Sequence, residues 1–577
     1  MAHLSDLEVL VLDCQASGAS PTHGDLLEVG WAVVSASAGI VVPTEARWVV
    51  PRTERPISRP VRELTGWNDA ALSLAIPEAE AWEALRAHGA MPTVIHWSRF
   101  ELGFLRDLHA RVTPEATFPF DVVCLHAIGA RLFPDLPRRS IRALAGHLGH
   151  STDLMRRSAG HVDATAFVWR ALVPLLEARG IETWEALAQF VDEAPPTSRR
   201  TKRVYPFDDA RRRALPDRPG VYRFVRKNGD VLYVGKATSV KKRVAGHFKS
   251  GVGKTTERAL EMLSQVDDVD VTITESILEA ALLETDEIKR VDPPYNVHLR
   301  AAAPRPWAGQ AAERRTWFAS HDLRSSAPAP DAKHVIGPLP SARALASLGA
   351  IVALATGQEP LRALRAQALG VPPTFAPDEG LFAEGWSVLS RAHRLQPFDG
   401  DRRASAASEE PLDRDAARAV LAASLAVYRE RGRNESDESD DDAPPDAWDL
   451  ARVIRRLERA LVHQGLLVRR APWLVLLADA TVAFRERDGD PRLLVFAENA
   501  VTHRRTLASL DDLAREPRRR ARPRAERRAT IDVAAYDRLR VLVTELRRVL
   551  DEGGEAAVRV GDHVVDGERL RRGLRAV

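Results

Sequence analysis

The sequence predicts a multidomain α/β protein: an α/β domain in the first third, a smaller α/β unit in the middle, and a mostly helical C-terminal region with a small β element. Three observations predict it. Apolar strands precede amphipathic helices over residues 7–178, a strand–turn–strand pattern restarts over 215–300, and Ala/Leu/Arg-rich helical stretches dominate beyond 300 until two apolar runs near 473–497. At roughly 100–200 residues per domain, a chain of 577 residues is too long for a single core.

Composition narrows the class. With 45% hydrophobic and 28% charged residues the chain can bury several cores, which excludes wholesale disorder or a collagen-like fibre. No apolar run of about 18 residues occurs, and MAHLSDLEVLVLDCQ lacks a basic segment followed by a cleavage site, so a membrane span and a secretory signal are not expected and the cytoplasm is the default compartment. Cys14 and Cys124 are the only cysteines, too few for a disulfide framework or a Cys-rich zinc site, so any metal must be held by carboxylates or histidines. The net charge is only +3, from 83 Lys+Arg against 80 Asp+Glu, so a nucleic-acid partner has to be argued from where the charges lie.

Taken in order, LEVLVLD (7–13) and LLEVGWAVV (26–34) read as strands around a Gly/Ser/Pro turn, VIHW (94–97) as a short strand, and 76–88, 99–110, 139–149 and 163–178 as helices. A domain over 1–190 then gives way to a Pro/Ser/basic linker, DEAPPTSRRTKR, placed within 191–210. Over 211–300, GVYRFV and VLYVGKA flank the turn KNGD, a hairpin signal, followed by helices at 238–249 and 256–265, a strand DVTIT and a helix at 277–290. The remainder divides into a helical region 301–432, an acidic linker 433–447 containing ESDESDDD, and an α/β region 448–577 with a helix at 448–470, paired strands in WLVLLADATVAFRE and RLLVFAE, an Arg-rich loop and a helix at 534–551.

The middle domain carries the sharpest signal. Tyr222 and Tyr233 sit on two strands joined by a short turn, so both phenols can leave one sheet face. Val240 and Val244 form the apolar stripe of the next helix with Arg243 at its edge, and on the later helix Glu284 shares a face with Ile277, Ala281 and Ile288. A carboxylate on a buried stripe costs several kcal/mol unless paired or metal-bound, so Mg²⁺ on Glu284 is the economical expectation. GVGKTT (251–256) is not a phosphate-binding loop, because Phe248 stands where the first glycine of G-x-x-x-x-G-K belongs.

LPDRPGVYRF, VLYVGKATSVKKRV and ESILEAALLETDEIKRVDPPYN resemble the GIY-YIG nuclease domain of UvrC-type excinucleases, continuously over 85 residues or so. The resemblance implies that Gly220-Val221-Tyr222 and Tyr233-Val234-Gly235 are the two triplets and that Lys236, Arg243, Glu284 and Asn296 are the later polar positions. It further implies that Glu284 holds one Mg²⁺ (or Mn²⁺), that a tyrosine activates or orients water, that Arg243 contacts the scissile phosphate, and that Lys236 adds positive charge near the phenol.

LEVLVLDCQASGASPTHGDLLEVGWAVV, RELTGW, VIHWSRFELGFLRDL and AGHVDATAFVW resemble, in that order, the DnaQ-like DEDD exonuclease domain, an RNase H-like fold. That family holds two metals with Asp-x-Glu, a middle Asp and a final Asp preceded by a His five residues earlier. This sequence has Asp13 and Gln15, Glu101, Asp163, and Ser158 in the histidine's place. An amide for a carboxylate removes a charge needed by the second cation, and the extra methylene of Glu101 moves its carboxylate beyond the ~0.5 Å that a catalytic shell tolerates. A degenerate, pseudo-exonuclease site follows, and whether His161 reaches it is left open.

HVIGPLPSARALASL (334–348) resembles the stretch that follows the nuclease domain in UvrC-type chains, and the absence of a second acidic nuclease site is nearer to the shorter Cho-like endonucleases. Seven arginines lie within eleven positions of the block Arg518, Arg519, Arg520, Arg522, Arg524, Arg527 and Arg528. They could neutralise several phosphates, and their bland alternative is a solvated loop. Together the resemblances imply a metal-dependent DNA endonuclease in nucleotide excision repair or related DNA processing, acting on damaged or branched duplex and on single-stranded ends, with an excision-repair loading protein as partner and no membrane. A dual nuclease with an active 3'-5' exonuclease and a non-catalytic DNA-binding scaffold are the alternatives.

Overall fold

The computed structural model describes residues 2–53, 55–151, 155–193, 204–249, 256–299, 473–523 and 530–575, with the short stretches 307–310, 317–320, 333–336, 470 and 526–527. The helices expected over 341–430 and 448–469, the acidic linker, most of the Pro/Ser/basic linker, HVIGPLPSARALASL beyond Ile336, GVGKT (251–255) and Arg524 lie outside the described residues. The chain divides into two compact units, Met1–Ile273 with Pro293–Val297, and Thr274–Asp292 with His298–Val577.

The first unit begins with strands β1 (Glu8–Ala16), β2 (Leu26–Ser35), β3 (Gly39–Trp48), β4 (Pro92–Ile95) and β5 (Asp121–Cys124) in the order β3-β2-β1-β4-β5. β1, β2 and β3 pair antiparallel, and β4 and β5 add parallel to β1. Alternation along β1 sends Val9 and Val11 into one core with Val162, Trp169 and Leu172 of the helix Ser158–Glu177, and Leu10 and Leu12 into another with Trp82, Leu85, Phe104 and Leu108. Both faces are thereby covered, and Asp13 and Gln15, two and four positions beyond Val11, fall on the face of the long helix.

Within the same unit β6 (Gly220–Val225), β7 (Val231–Ala237) and β8 (Asp268–Ile273) form an antiparallel sheet of order β7-β6-β8. The hairpin closes through Asn228-Gly229, where Gly229 has φ 89° and takes the left-handed conformation that such turns require. The exonuclease-fold helix Ile141–Leu148 meets the nuclease helix Glu257–Leu263: Ser140 Oγ donates to Glu261 Oε2 at 2.7 Å, the Arg138 amide donates to Ser264 Oγ at 2.9 Å, and Gly146 leaves room for the Gln265 side chain.

In the second unit the helix Ile277–Val291 packs with a five-stranded antiparallel sheet, ordered Ala500–Thr506, Arg492–Ala497, Thr481–Arg485, Glu555–Val560 and His563–Asp566, and with the helix Val533–Asp551. The unit also holds three short strands, Trp307–Gln310, Trp317–Ser320 and Lys333–Ile336. WLVLL, expected as the start of a strand, is instead a helical turn over 473–477, and the strand begins at Thr481. An apolar run this short satisfies either period, and here Leu474, Leu477 and Ala478 are buried at helical spacing. No helix among the described residues is long and apolar enough to cross a membrane.

Gly220 on the central strand β6 has no room for a Cβ, which would collide with the Thr272 carbonyl oxygen of β8. Gly220→Ala should therefore cost about 1–3 kcal/mol of stability, as overpacking does, and lower the thermal midpoint. A midpoint equal to that of the wild type would show that β8 yields without cost.

Candidate functional site

Tyr222 of β6 and Tyr233 of β7 leave the same face of the hairpin, with ring centroids 6.0 Å apart. Register explains their spacing. Tyr222 pairs with Gly235 and Phe224 with Tyr233, and a Cβ at Gly235 would come within 2.5 Å of the Tyr222 phenol oxygen, so the last glycine of the second triplet makes room for the first tyrosine. On the helix Val240–His247, Val240 and Val244 are buried, while the Arg243 guanidinium is within hydrogen-bonding reach of both phenols. One turn later His247 Nε2 lies 2.8 Å from the Tyr222 hydroxyl.

The electrostatics follow from burial. Tyr222 is fully buried, which pushes its phenol above the ordinary range; Tyr233 adds to this and Arg243 opposes it. Burial, with Arg243 second, pushes His247 down to about 4, so at neutral pH the contact joins two uncharged groups. Lys236 pairs with Val221 across the hairpin. It is two residues past Val234 on β7, so alternation places it on the sheet face opposite Tyr233, and burial governs Tyr222.

Asn296 is buried and does more than turn the chain. Its Oδ1 accepts from the Val234 amide and its Nδ2 donates to the Val234 carbonyl, both at 2.9 Å, so one side chain mimics a strand partner and ties the segment Pro293–Val297 to β7. The neighbouring Tyr295 hydroxyl donates to Glu261 Oε1 at 2.9 Å and accepts from Gln265 Nε2.

Glu284 lies on the helix Ile277–Val291 of the second unit and is half-buried; Glu279 and Glu287 are the buried carboxylates of that helix. Glu284 shares a face with Ile277, Ala281 and Ile288 as the spacing expects, and because this helix is covered on several sides the stripe does not by itself rank its faces.

In the exonuclease-type site the expected residues come together only in part. Asp13 and Glu101 are buried, and Glu101 is pushed up to about 9, first by burial and then by the Asp13 carboxylate. Asp163 is exposed and accepts a hydrogen bond from Thr44 Oγ1 of β3. His161, two residues earlier on the helix, is the group that reaches Asp13, with Nδ1 3.3 Å from Oδ1. Burial works against its imidazolium, but the Asp13 charge and hydrogen bond outweigh it and hold its pKa above the ordinary value. Gln15 Nε2 donates to the Arg156 carbonyl at 2.8 Å, and the neighbouring Glu28 is saturated by Arg157 and the Ser158 amide. Ser158, in the place of the family histidine, is fully buried.

Among the described residues no group of three or more His, Cys, Asp or Glu is arranged to hold a metal. His161 takes the Asp13 Oδ1 and Thr44 holds Asp163, which does not fit a two-metal site. Yet Asp13 Oδ2, Gln15 Oε1 and Glu101 Oε2 are buried without a hydrogen-bond partner in the described structure.

The arginine block is partly structural. Arg522 is anchored by two donations to Asp479, at 2.7 and 2.8 Å, Arg518 pairs at 3.2 Å with Asp562, and Arg519 and Arg520 are exposed.

Comparison with known proteins agrees with this geometry. Residues 218–297 match the family model of the UvrC-like GIY-YIG domain. The UvrABC system protein C of Alkalilimnicola ehrlichii is 48% identical over 103 residues, 18% of this chain and 16% of that protein. A Mycobacterium tuberculosis protein described as a candidate bifunctional exonuclease/endonuclease is 27% identical over 365 residues, 61% of this chain and 53% of that one. The GIY-YIG N-terminal endonuclease domain of UvrC from Thermotoga maritima, solved with magnesium, is 30% identical over 15% of this chain and 93% of its own, with a TM-score of 0.14. Exonuclease X in complex with 5' overhanging duplex DNA is 22% identical over 32% of this chain and 99% of its own, at a TM-score of 0.25. Of the curated relatives, the chain spans about half the length of the Mycobacterium protein and 16% of the Alkalilimnicola one. Residues 218–297 are thus a UvrC-like GIY-YIG domain.

His247 is the site residue that sequence reasoning missed, although its i, i+4 spacing from Arg243 puts both on one helix face. The raised Glu101 offers a check on the exonuclease-type site. A carboxyl with a folded pKa of about 9 and an ordinary value of 4.5 is preferred protonated in the fold, so its stabilisation is complete below 4.5 and is lost as pH rises toward 9. Glu101→Gln, uncharged throughout, should raise the thermal midpoint at about pH 8 and leave it almost unchanged near pH 4. Equal midpoints of variant and wild type at both pH values would mean that Glu101 is ionised in the fold.

Proposed function

We propose that the chain is a metal-dependent DNA endonuclease of the GIY-YIG type, working in nucleotide excision repair or related DNA processing, with a pseudo-exonuclease domain that binds DNA or protein. The observation that carries this reading is the convergence of Tyr222, Tyr233, Arg243 and His247 on one face of the hairpin. Its substrate would be damaged or branched duplex, with a loading protein of excision repair as partner. The exposed Arg519 and Arg520 are the candidates of the arginine block for phosphate contact.

In this reading the half-exposed Tyr233 orients the attacking water, and Arg243 offers a fixed cation for the scissile phosphate where charge develops. The neutral His247 holds the Tyr222 phenol in place. Glu284 would hold Mg²⁺ or Mn²⁺: a single hard, half-exposed carboxylate suits Mg²⁺, which keeps several waters and takes only one or two protein carboxylates, and which as a Lewis acid would stabilise phosphoryl charge. Glu284→Gln should abolish nicking of circular duplex while leaving DNA affinity within a few-fold, because a transition-state interaction is lost and not a ground-state one. Tyr233→Phe should be similarly damaging. Undiminished nicking by Glu284→Gln would sink the metal assignment, and normal turnover by Tyr233→Phe would make that residue structural.

A second reading of the N-terminal domain, an exonuclease that retains activity, is favoured by the three unsatisfied oxygens of Asp13, Gln15 and Glu101. Against it stand the His161–Asp13 pair and the outward Asp163. The pseudo-exonuclease reading expects the Glu284→Gln protein to leave end-labelled single strands intact with Mg²⁺ or Mn²⁺. Digestion from the 3' end that disappears on Asp13→Ala would replace that reading with a dual nuclease.

A further inference from the structure

We infer that the C-terminal domain, residues 473–575, is a positioning element of the nuclease, built around the helix Ile277–Val291 that carries Glu284; the inference rests on the endonuclease reading above. Although the family match runs through residue 297, this helix belongs to the second unit. Its Leu278 and Leu282 are buried in one core with Phe484, Leu494, Leu539 and Leu546.

Polar contacts then define its rotation and its height. Arg492 Nε donates to Glu279 Oε1 at 2.7 Å with both side chains buried. Arg538 Nε donates to Asp286 Oδ1 at 2.7 Å, and Lys289 Nζ pairs at 2.7 Å with the buried Asp537. At the first turn the Ile277 amide donates to Glu486 Oε2 at 3.4 Å. The anchored positions 278, 279, 282, 286 and 289 recur at i+3 and i+4 and so lie along one side of the helix. Glu284 is two residues from Leu282, about 200° around the axis, and faces away from them.

Charged pairs at both ends of the anchored side resist a slip that a purely apolar contact would permit. A slip of one residue would move Glu284 by about 1.5 Å along the axis and rotate it by about 100°, beyond the ~0.5 Å tolerance of a functional site. Arg492, Arg538 and Lys289 are thus positioning residues, acting on the proposed metal ligand through the helix.

The test uses the full-length protein and two readouts. Electron paramagnetic resonance of free Mn²⁺ measures the site that Glu284→Gln removes, and nicking of supercoiled circular duplex is followed against Mg²⁺ concentration. Arg538→Ala should weaken the Glu284-dependent Mn²⁺ site about tenfold and raise the Mg²⁺ needed for half-maximal nicking by a similar factor, with duplex affinity and circular dichroism unchanged. Arg492→Met should do the same. If it fails to fold, Arg538→Ala decides alone, since the side chain of Asp286 is 41% exposed and its isolated charge stays solvated. The charge swap Asp286→Arg with Arg538→Asp should recover most of the loss. An Arg538→Ala protein with unchanged Mn²⁺ affinity and Mg²⁺ dependence, or a swap no better than the single variant, overturns the inference while wild-type nicking stands. A wild type with no Glu284-dependent Mn²⁺ site overturns the metal reading itself and this inference with it.

Discussion

A carboxylate withdrawn from water has to find a cation or several donors, and much of this chain's architecture follows from where that demand is met. Glu28, with no exposed surface, is met by Arg157 and the Ser158 amide, which join β2 to the start of the long helix Ser158–Glu177. Glu279 is met by Arg492 and Asp537 by Lys289, which join the helix Ile277–Val291 to the C-terminal domain. Asp13 is met by His161. Glu101, buried beside the Asp13 carboxylate, responds by holding its proton.

The nuclease face solves the opposite problem, how to crowd polar groups without charging the interior. Tyr222 is buried completely and stays protonated, His247 beside it stays neutral, and a permanent cation, Arg243, sits toward the rim where it can serve both phenols. Gly235 permits this by leaving the space that the Tyr222 phenol fills, and Asn296 holds the strand carrying Tyr233 and Gly235 through both hydrogen-bonding groups of Val234. Removing the Asn296 amide would leave a buried backbone donor and acceptor without partners, a penalty of about 1–3 kcal/mol for each group.

The hairpin and its tyrosines are legible in the sequence because they are local: two alternating runs flank Asn228-Gly229, and the register follows from the turn. Strands β3 and β5 are not. β3 is an edge strand of irregular exposure, and β5 has four residues, too few to display a period. Asp163 fits the motif by spacing, yet the helix turns it outward and turns His161 inward, an orientation that depends on how the helix crosses the sheet. Glu284 is similar. An apolar stripe predicts one buried face, but the partners that cover Leu278 and Leu282 lie about 200 or more residues downstream, a separation that periodicity cannot see. Of the arginine block, the sequence shows charge density and not pairing, and Arg522 is claimed by Asp479.

The surface that the N-terminal domain lends to residues 218–297 uses none of Asp13, Gln15 or Glu101. Ser140 holds Glu261, Glu261 holds Tyr295, and Tyr295 is bonded to the next residue, Asn296, which braces β7. Arg138 and Gly146 close the same junction, the first through the Ser264 hydroxyl and the Glu257 carboxylate, the second by leaving space for Gln265. Each hydrogen bond is worth only about 0.5–1.5 kcal/mol, but the bonds lie in series and converge on one strand, so the N-terminal domain's surface is joined to the strand carrying Tyr233 through residues other than Asp13, Gln15 and Glu101.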